Sequence, residues 1–337
     1  MVSQSSFRAT LKRGVLVAVA NWPVVLIQFA AESLFTLLLA VPVVGGASIV
    51  ALVLGPPDVD RLLRGEMADV VVGYADALRE YPLALAGLVW AFAVVVVGGS
   101  ALTFLIKGGT VAVLVEAERV AGPIERPPLR LQALQRAACF SIEAFLEGCR
   151  RYYRRYLRLG FSLLGVYGAS ALIYLTILFY SSRVLASWPV ALGWPLILAG
   201  SSSALVVWIT GVNLVYLLVQ IAVAVEDCGV RRAARRTARF LHDRYREISV
   251  IFVWVLGLVV VTLAASILAT VGLGLISFVP LVGLTVLPLQ AAAWLLRGLV
   301  FQLLGLTALT AYVVLYRPFA EEDTRAAGDS STLRSVS

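Results

Sequence analysis

Polar and apolar positions alternate along this chain on two scales. On the coarse scale, six apolar runs, at 15 to 41, 83 to 115, 159 to 180, 190 to 225, 248 to 276 and 291 to 316, are separated by polar connections. Each run exceeds the ~18 residues that mark a spanning helix. On the fine scale, the polar stretches before the odd-numbered runs repeat at helical spacing. Around "CRRYYRRYLRLGFSLLG", Ile142, Phe145, Cys149, Tyr152, Tyr153 and Tyr156 form one stripe, and Glu147, Arg150, Arg151, Arg154, Arg155 and Arg158 form the other. Ahead of the fifth run, Val230, Ala234, Thr237, Leu241 and Tyr245 oppose Arg232, Arg235, Arg236, Arg239 and Arg246. This spacing predicts amphipathic helices.

Three segments line up as variants of one unit: "FRATLKRGVLVAVANWPVVLI" from Phe7, "FLEGCRRYYRRYLRLGFSLLG" from Phe145, and "RRAARRTARFLHDRYREISVIFVWVLG" from Arg231. Each runs from a basic stretch into an odd-numbered run. The even runs end alike in "GGTVAVLVEAERVAG" and "LVQIAVAVEDCGV", whereas the last ends differently, in "LTALTAYVVLYRP". The pattern predicts three helical hairpins, about 1 to 122, 138 to 228 and 229 to 318. The predicted class is an all-α polytopic membrane protein, a single six-helix domain over 1–318 with basic interfacial helices. The aromatic-free stretch after Phe319 predicts a disordered tail over 319–337.

Composition agrees: 60% of the 337 residues are hydrophobic and only 14% charged, against ~25% charged in soluble domains. Charge sets the expected orientation. With the N-terminus cytoplasmic, the connections on that face hold 22 of the 28 Lys and Arg residues, against 4 on the other. The positive-inside rule then places both termini in the cytoplasm. Ala18-Val19-Ala20 imitates a signal cleavage site, but too few apolar residues precede it, so the first run is read as an uncleaved anchor. The outer 55–81 loop carries six acidic residues against three arginines and is expected to form a short exposed helix. Cys139, Cys149 and Cys228 all fall on the cytoplasmic side, where thiols stay reduced.

The arginine helices narrow the partners. Tyrosines opposite the arginines argue against base stacking and hence against nucleic acid. Tyrosine and arginine suit a headgroup layer, being apolar along the stem and polar at the tip. Membrane lipids are therefore the expected partners, with anionic headgroups facing Arg150, Arg151, Arg154, Arg155, Arg158, Arg232, Arg235, Arg236 and Arg239.

Charges within apolar runs mark candidate sites by default. Glu32, Lys107 and Arg297 lie there, and Asn213 and Gln302 complete the candidate intramembrane set. At ~1.5 Å of rise per residue, Glu32 and Arg297 stand at one depth and are candidates to pair. Asn21, Gln28 and Gln220 are read with Asn213 and Gln302 as interhelical hydrogen-bonding residues. Gly98, Gly99, Gly108 and Gly109 are read as sites of close helix approach. "VPVVGGASIVALVLG" and "SFVPLVGLTVLPLQ" are read as short re-entrant or interfacial segments.

Catalytic chemistry finds little support. The one histidine, His242, lies in a basic helix, and no aspartate lies within an apolar run. "IKGGT" lacks P-loop spacing. Ser100 and Lys107 share a helix face but stand ~10 Å apart by rise, beyond proton-transfer reach. No metal site and no cofactor is expected.

"RRAARRTARFLHDRYREISVIF", preceded by "VAVED", resembles uncharacterised bacterial six-span membrane proteins, including the membrane domain attached to some glycerophosphoryl diester phosphodiesterases. The likeness covers most of residues 7 to 318 and implies architecture without the catalytic domain. The resulting expectation is a non-enzymatic accessory or scaffold protein of the envelope. The alternatives are a transporter-like protein or permease subunit for an apolar or amphiphilic molecule, and a membrane-embedded lipid enzyme.

Overall fold

The computed structural model describes residues 4–64, 82–125, 131–185, 193–277 and 282–335. Among these the helices are α1 Gln4–Ala20, α2 Trp22–Arg64, α3 Pro82–Val120, α4 Leu131–Ala137, α5 Ile142–Leu185, α6 Gly193–Val225, α7 Val230–Asp243, α8 Tyr245–Ser277 and α9 Val282–Ser335. Six stretches are long and apolar enough to cross a membrane: Trp22–Gly46, Ala86–Val120, Ile142–Ser181, Leu196–Val225, Tyr245–Gly274 and Pro288–Glu322. The chain is an all-helical, multi-pass membrane protein. A helix suits this sequence because it satisfies every backbone N–H and C=O within its own segment, where lipid supplies no partners.

The breaks follow local chemistry. Pro23 lacks the N–H that would bond back to Val19, and α1 gives way to α2 at Asn21. Gly122, at φ +61°, stops α3 just ahead of Pro123. Asp227, at φ +46°, turns the chain after α6, a conformation that aspartate tolerates better than most residues. Only α5 carries its basic stretch into the span without interruption. The first and third basic stretches are separated from their spans, at Asn21 and Arg244.

Several expectations need correction. The 41–55 segment is no re-entrant turn, because α2 passes straight through it. Residues 55–64 of the acidic connection likewise continue α2, and 65–81 lie outside the described residues. From Val282 the second proposed re-entrant segment is already α9, which runs through Pro288. Residues 278–281 lie outside the described residues. The tail over 319–337, expected to be disordered, continues α9 as far as Ser335. Glu321, Glu322, Arg325, Ala326 and Ala327 are residues that favour helix, and this preference prevails over the polarity of the segment.

The chain forms two compact units. The first comprises 1–31, 105–156 and 217–337; within it α1 packs along α9, α9 along α8, and α4 against α1. Gly14 makes the α1–α9 approach possible, since a Cβ there would lie 2.9 Å from the Thr307 carbonyl oxygen. The second unit comprises 32–104 and 157–216. Its helices meet where Phe35 fills the space over Gly99 and Phe104 the space over Gly160. Hydrogen bonds join α5 to α6 there: Tyr167 donates to Asn213, Trp208 Nε1 to Ser170 at 2.9 Å, and Tyr174 and Ser202 share a bond of 2.8 Å.

Candidate binding cavity at the helix ends

The basic stretches reach across to acidic residues at the other end of their own hairpins. In the first hairpin, Arg13 Nη2 of α1 lies 2.8 Å from Glu118 Oε1 of α3, and Arg13 Nη1 lies 3.4 Å from Glu125. In the second, Arg151 and Arg155 of α5 grip the two oxygens of Asp227 at 2.7 and 2.5 Å. In the third, Arg244, just before α8, meets Glu322 of α9 at 3.3 Å. Each hairpin is thus clasped by an ion pair between the start of its first span and the end of its second.

The clasps differ in burial. Asp227 and Glu322 are exposed, and exposed pairs contribute ~0–1 kcal/mol each. Glu118 is only 5% exposed, and its second oxygen lies 2.8 Å from Arg317 Nη1. Arg317 also donates to the Val115 carbonyl at 3.0 Å. One buried carboxylate therefore gathers α1, α3 and α9. Two arginines compensate its lost hydration, as a buried charge requires. At Asp227 the hydrogen bond from Arg151, reinforced by that from Arg155, holds the carboxyl below its ordinary range against the opposing effect of burial.

Between the clasps lies a cavity of about 1010 Å³, walled by the last turns of α3 and α6, the first turns of α5, part of α7 and the Arg317–Glu321 portion of α9. Arg119, Arg151, Arg232, Arg236 and Arg317 line it. So do Glu116, Glu147, Glu226, Asp227 and Glu321. The wall is held in place from behind. Tyr316 Oη donates to Glu226 Oε1 at 2.6 Å, and Arg236 Nε stands 3.5 Å from Glu226 Oε2. Tyr152 Oη donates to the Ala224 carbonyl at 3.3 Å, and Tyr156 Oη to the Gln220 carbonyl at 2.9 Å. Cys139, on the rim, has its thiol pushed up by burial and then by Glu116. All three cysteines are free thiols.

The amphipathic stripes face protein. On α5, Phe145, Cys149, Tyr152 and Tyr156 are buried, while Ile142 is exposed and Tyr153 half-buried. Gly109 admits this stripe, for a Cβ there would come within 2.7 Å of both the Cys149 sulfur and the Phe145 carbonyl oxygen. On α7 the buried line is Ala233, Thr237 and Phe240, whereas Ala234 and Tyr245, expected in the apolar stripe, are exposed. Phe240 explains the rotation: its ring packs 5.0 Å from Tyr316 and 5.2 Å from Phe319, centroid to centroid. Of the expected lipid-facing arginines, Arg150, Arg154, Arg158, Arg232, Arg235 and Arg239 are exposed. Arg151, Arg155 and Arg236 are engaged in the ion pairs above.

The intramembrane candidates are distributed over the two units. Glu32 belongs to the second unit, and Arg297 to the first, where its guanidinium lies 5.8 Å from the centroid of Phe301, four residues along the same helix. Asn213 bonds Tyr167 in the second unit. Lys107 and Gln302 are half-buried and do not line the cavity. Two further polar residues connect helices as expected. Thr110 of α3 donates to Gln28 of α2 at 3.0 Å. Asn21, fully buried, donates to the Ala137 carbonyl at 2.8 Å and accepts from the Cys139 N–H at 3.1 Å. Gly99, Gly108 and Gly109 sit at close approaches, but Gly98 faces open space.

Comparison with known protein families, with curated proteins and with solved structures gives no match to this chain.

Proposed function

We propose that this protein is a non-enzymatic accessory or scaffold protein of the bacterial plasma membrane, with both termini cytoplasmic, which recognises its ligand at the charged ends of its helices. The cavity between the clasps is the observation that carries this reading. Its walls combine five arginines and five carboxylates with a backing of buried tyrosines, a combination that favours specific, oriented binding of a polar group. Its lining comes from the ends of the spans; Glu32, Asn213 and Gln302 are not among those residues. The geometry therefore favours recognition at the membrane edge over passage through the centre. The resemblance to the six-span bacterial family agrees with such an architecture. The outward arginines Arg150, Arg154, Arg158 and Arg235 support contact with anionic lipid beside this cavity, at ~1 kcal/mol per basic residue near the surface.

A photoreactive side chain introduced at Ala144, on the cavity wall, tests the reading in intact membranes. The expected result is a discrete adduct that disappears when Arg232 and Glu147 are both replaced by Gln. The same probe at Leu268, which is 74% exposed on α8, should give only a lipid smear that the replacements leave unchanged. Identical adducts at the two positions would contradict it.

A further inference from the structure

We propose that the cavity holds a phospholipid headgroup that carries both a phosphate and a primary ammonium. The inference rests on the cavity being the recognition site and adds the chemistry of what enters it. Position is the first argument. The spans of α3 and α6 end at Val120 and Val225, and the cavity is built on their last turns. In a bilayer, the last turn of a span meets the headgroup layer.

Charge balance is the second argument. Five arginines and five carboxylates line the wall, so a purely anionic group meets like charges as often as opposite ones, and so does a purely cationic group. A group bearing both signs is matched on both. Much of the wall is already committed. Asp227 is held by Arg151 and Arg155, and Glu226 by Tyr316 and Arg236. Arg232 and Glu147 are exposed, line the same cavity, and make no ion pair among the described residues.

Arg232 is therefore the phosphate ligand, joined by the N–H donors that Arg151 does not spend on Asp227, since a guanidinium carries five. Glu147 is the ammonium ligand. A carboxylate accepts N–H hydrogen bonds from a primary ammonium, whereas a trimethylated nitrogen has none to give, and this distinguishes ethanolamine from choline headgroups. The apolar residues Ala112, Val113, Val115 and Val225 at the same wall supply a surface for the first carbons of the chains.

The test uses the full chain in nanodiscs with equal parts phosphatidylethanolamine, phosphatidylcholine and phosphatidylglycerol, with retained lipid read by native mass spectrometry after release. Phosphatidylethanolamine should be retained several-fold over the other two. Glu147→Gln should bring it down to the phosphatidylcholine level, and Arg232→Gln should lower retention of all three. Both side chains are exposed, so an unchanged melting temperature verifies the fold of each variant. Soluble phosphoethanolamine separates headgroup from whole lipid: the proposal expects it to compete weakly, and full displacement at low concentration would identify a free phosphoamine as the ligand and overturn the lipid assignment. Preference for phosphatidylglycerol would overturn the zwitterion assignment and leave the cavity's role intact. Retention indifferent to both substitutions would mark annular lipid only and overturn the proposal, whereas the recognition site itself stands or falls on the adduct at Ala144.

Discussion

Glu118 and Arg13 lie 105 residues apart in sequence and 2.8 Å apart in space. The contact joins the first helix to the end of the third, and Arg317 closes it from the ninth. Because the carboxylate is buried, its removal takes the 2.8 Å partner from both Arg13 and Arg317 and leaves Arg13 the longer contact to Glu125. Glu118→Gln is expected to destabilise the protein by about 3 kcal/mol, the scale for breaking one side of a buried pair. Thermal unfolding in detergent measures this. Asp227→Asn, at an exposed clasp, should cost less than 1 kcal/mol by the same assay.

The Asp227 clasp predicts a pH dependence. Its carboxyl is held below the ordinary aspartate range by Arg151 and Arg155. A group with a depressed folded-state pKa contributes stability above its unfolded value, about 3.9 for aspartate, and loses it as pH falls through the folded value. Asp227→Asn should therefore unfold more easily than the wild type at neutral pH, and the gap should close in acid below the usual aspartate range. Asparagine tolerates the positive φ at this position, so the backbone does not confound the comparison. Unfolding curves across pH for both proteins provide the check; a gap that stays constant into acid would mean the clasp contributes nothing.

Two glycines should behave oppositely. A Cβ at Gly109 meets the Phe145 carbonyl oxygen at 2.7 Å, a backbone atom that cannot move aside cheaply, while one at Gly98 meets nothing within 4 Å. Gly109→Ala should cost about 1–3 kcal/mol by overpacking, and Gly98→Ala should be neutral or slightly stabilising because alanine favours helix. Melting temperatures of the two variants decide the matter.

Orientation is tested by cysteine labelling in intact cells. A cysteine at Ser182, beyond the third span, should react with an impermeant thiol reagent, and one at Ser330 should not. Reaction at Ser330 would reverse the assigned topology.

The sequence reveals some of these features and hides others for physical reasons. Run length and hydropathy expose the six spans, because a spanning helix must be apolar over a length fixed by the bilayer. The basic starts of the hairpins are legible in the sequence, whereas the role of "AEED" after the last span follows only from the contact of Glu322 with Arg244. Asn21, Gln28 and Asn213 are legible because a polar side chain in an apolar run needs a partner on another helix. Glu118 and Glu226 gave no local signal: each is one carboxylate among several at a helix end, and only the fold shows which of them is buried against an arginine from elsewhere. The buried α7 stripe is rotated from the one its sequence pattern suggests, and the contact that decides its rotation is Phe240 against Tyr316.

On the proposed function, the charged, clasped ends of the hairpins form a hydrated cavity at the membrane edge. Spin labels at Ala144 and Ala320, both on the cavity wall, and at Val207, which is 73% exposed on α6, test it most directly in reconstituted bilayers. The expected result is strong relaxation of the first two by a water-soluble nickel chelate and of the third by oxygen dissolved in the hydrocarbon. Labels at Ala144 and Ala320 that respond to oxygen and ignore nickel would place the cavity in the hydrocarbon and contradict the account.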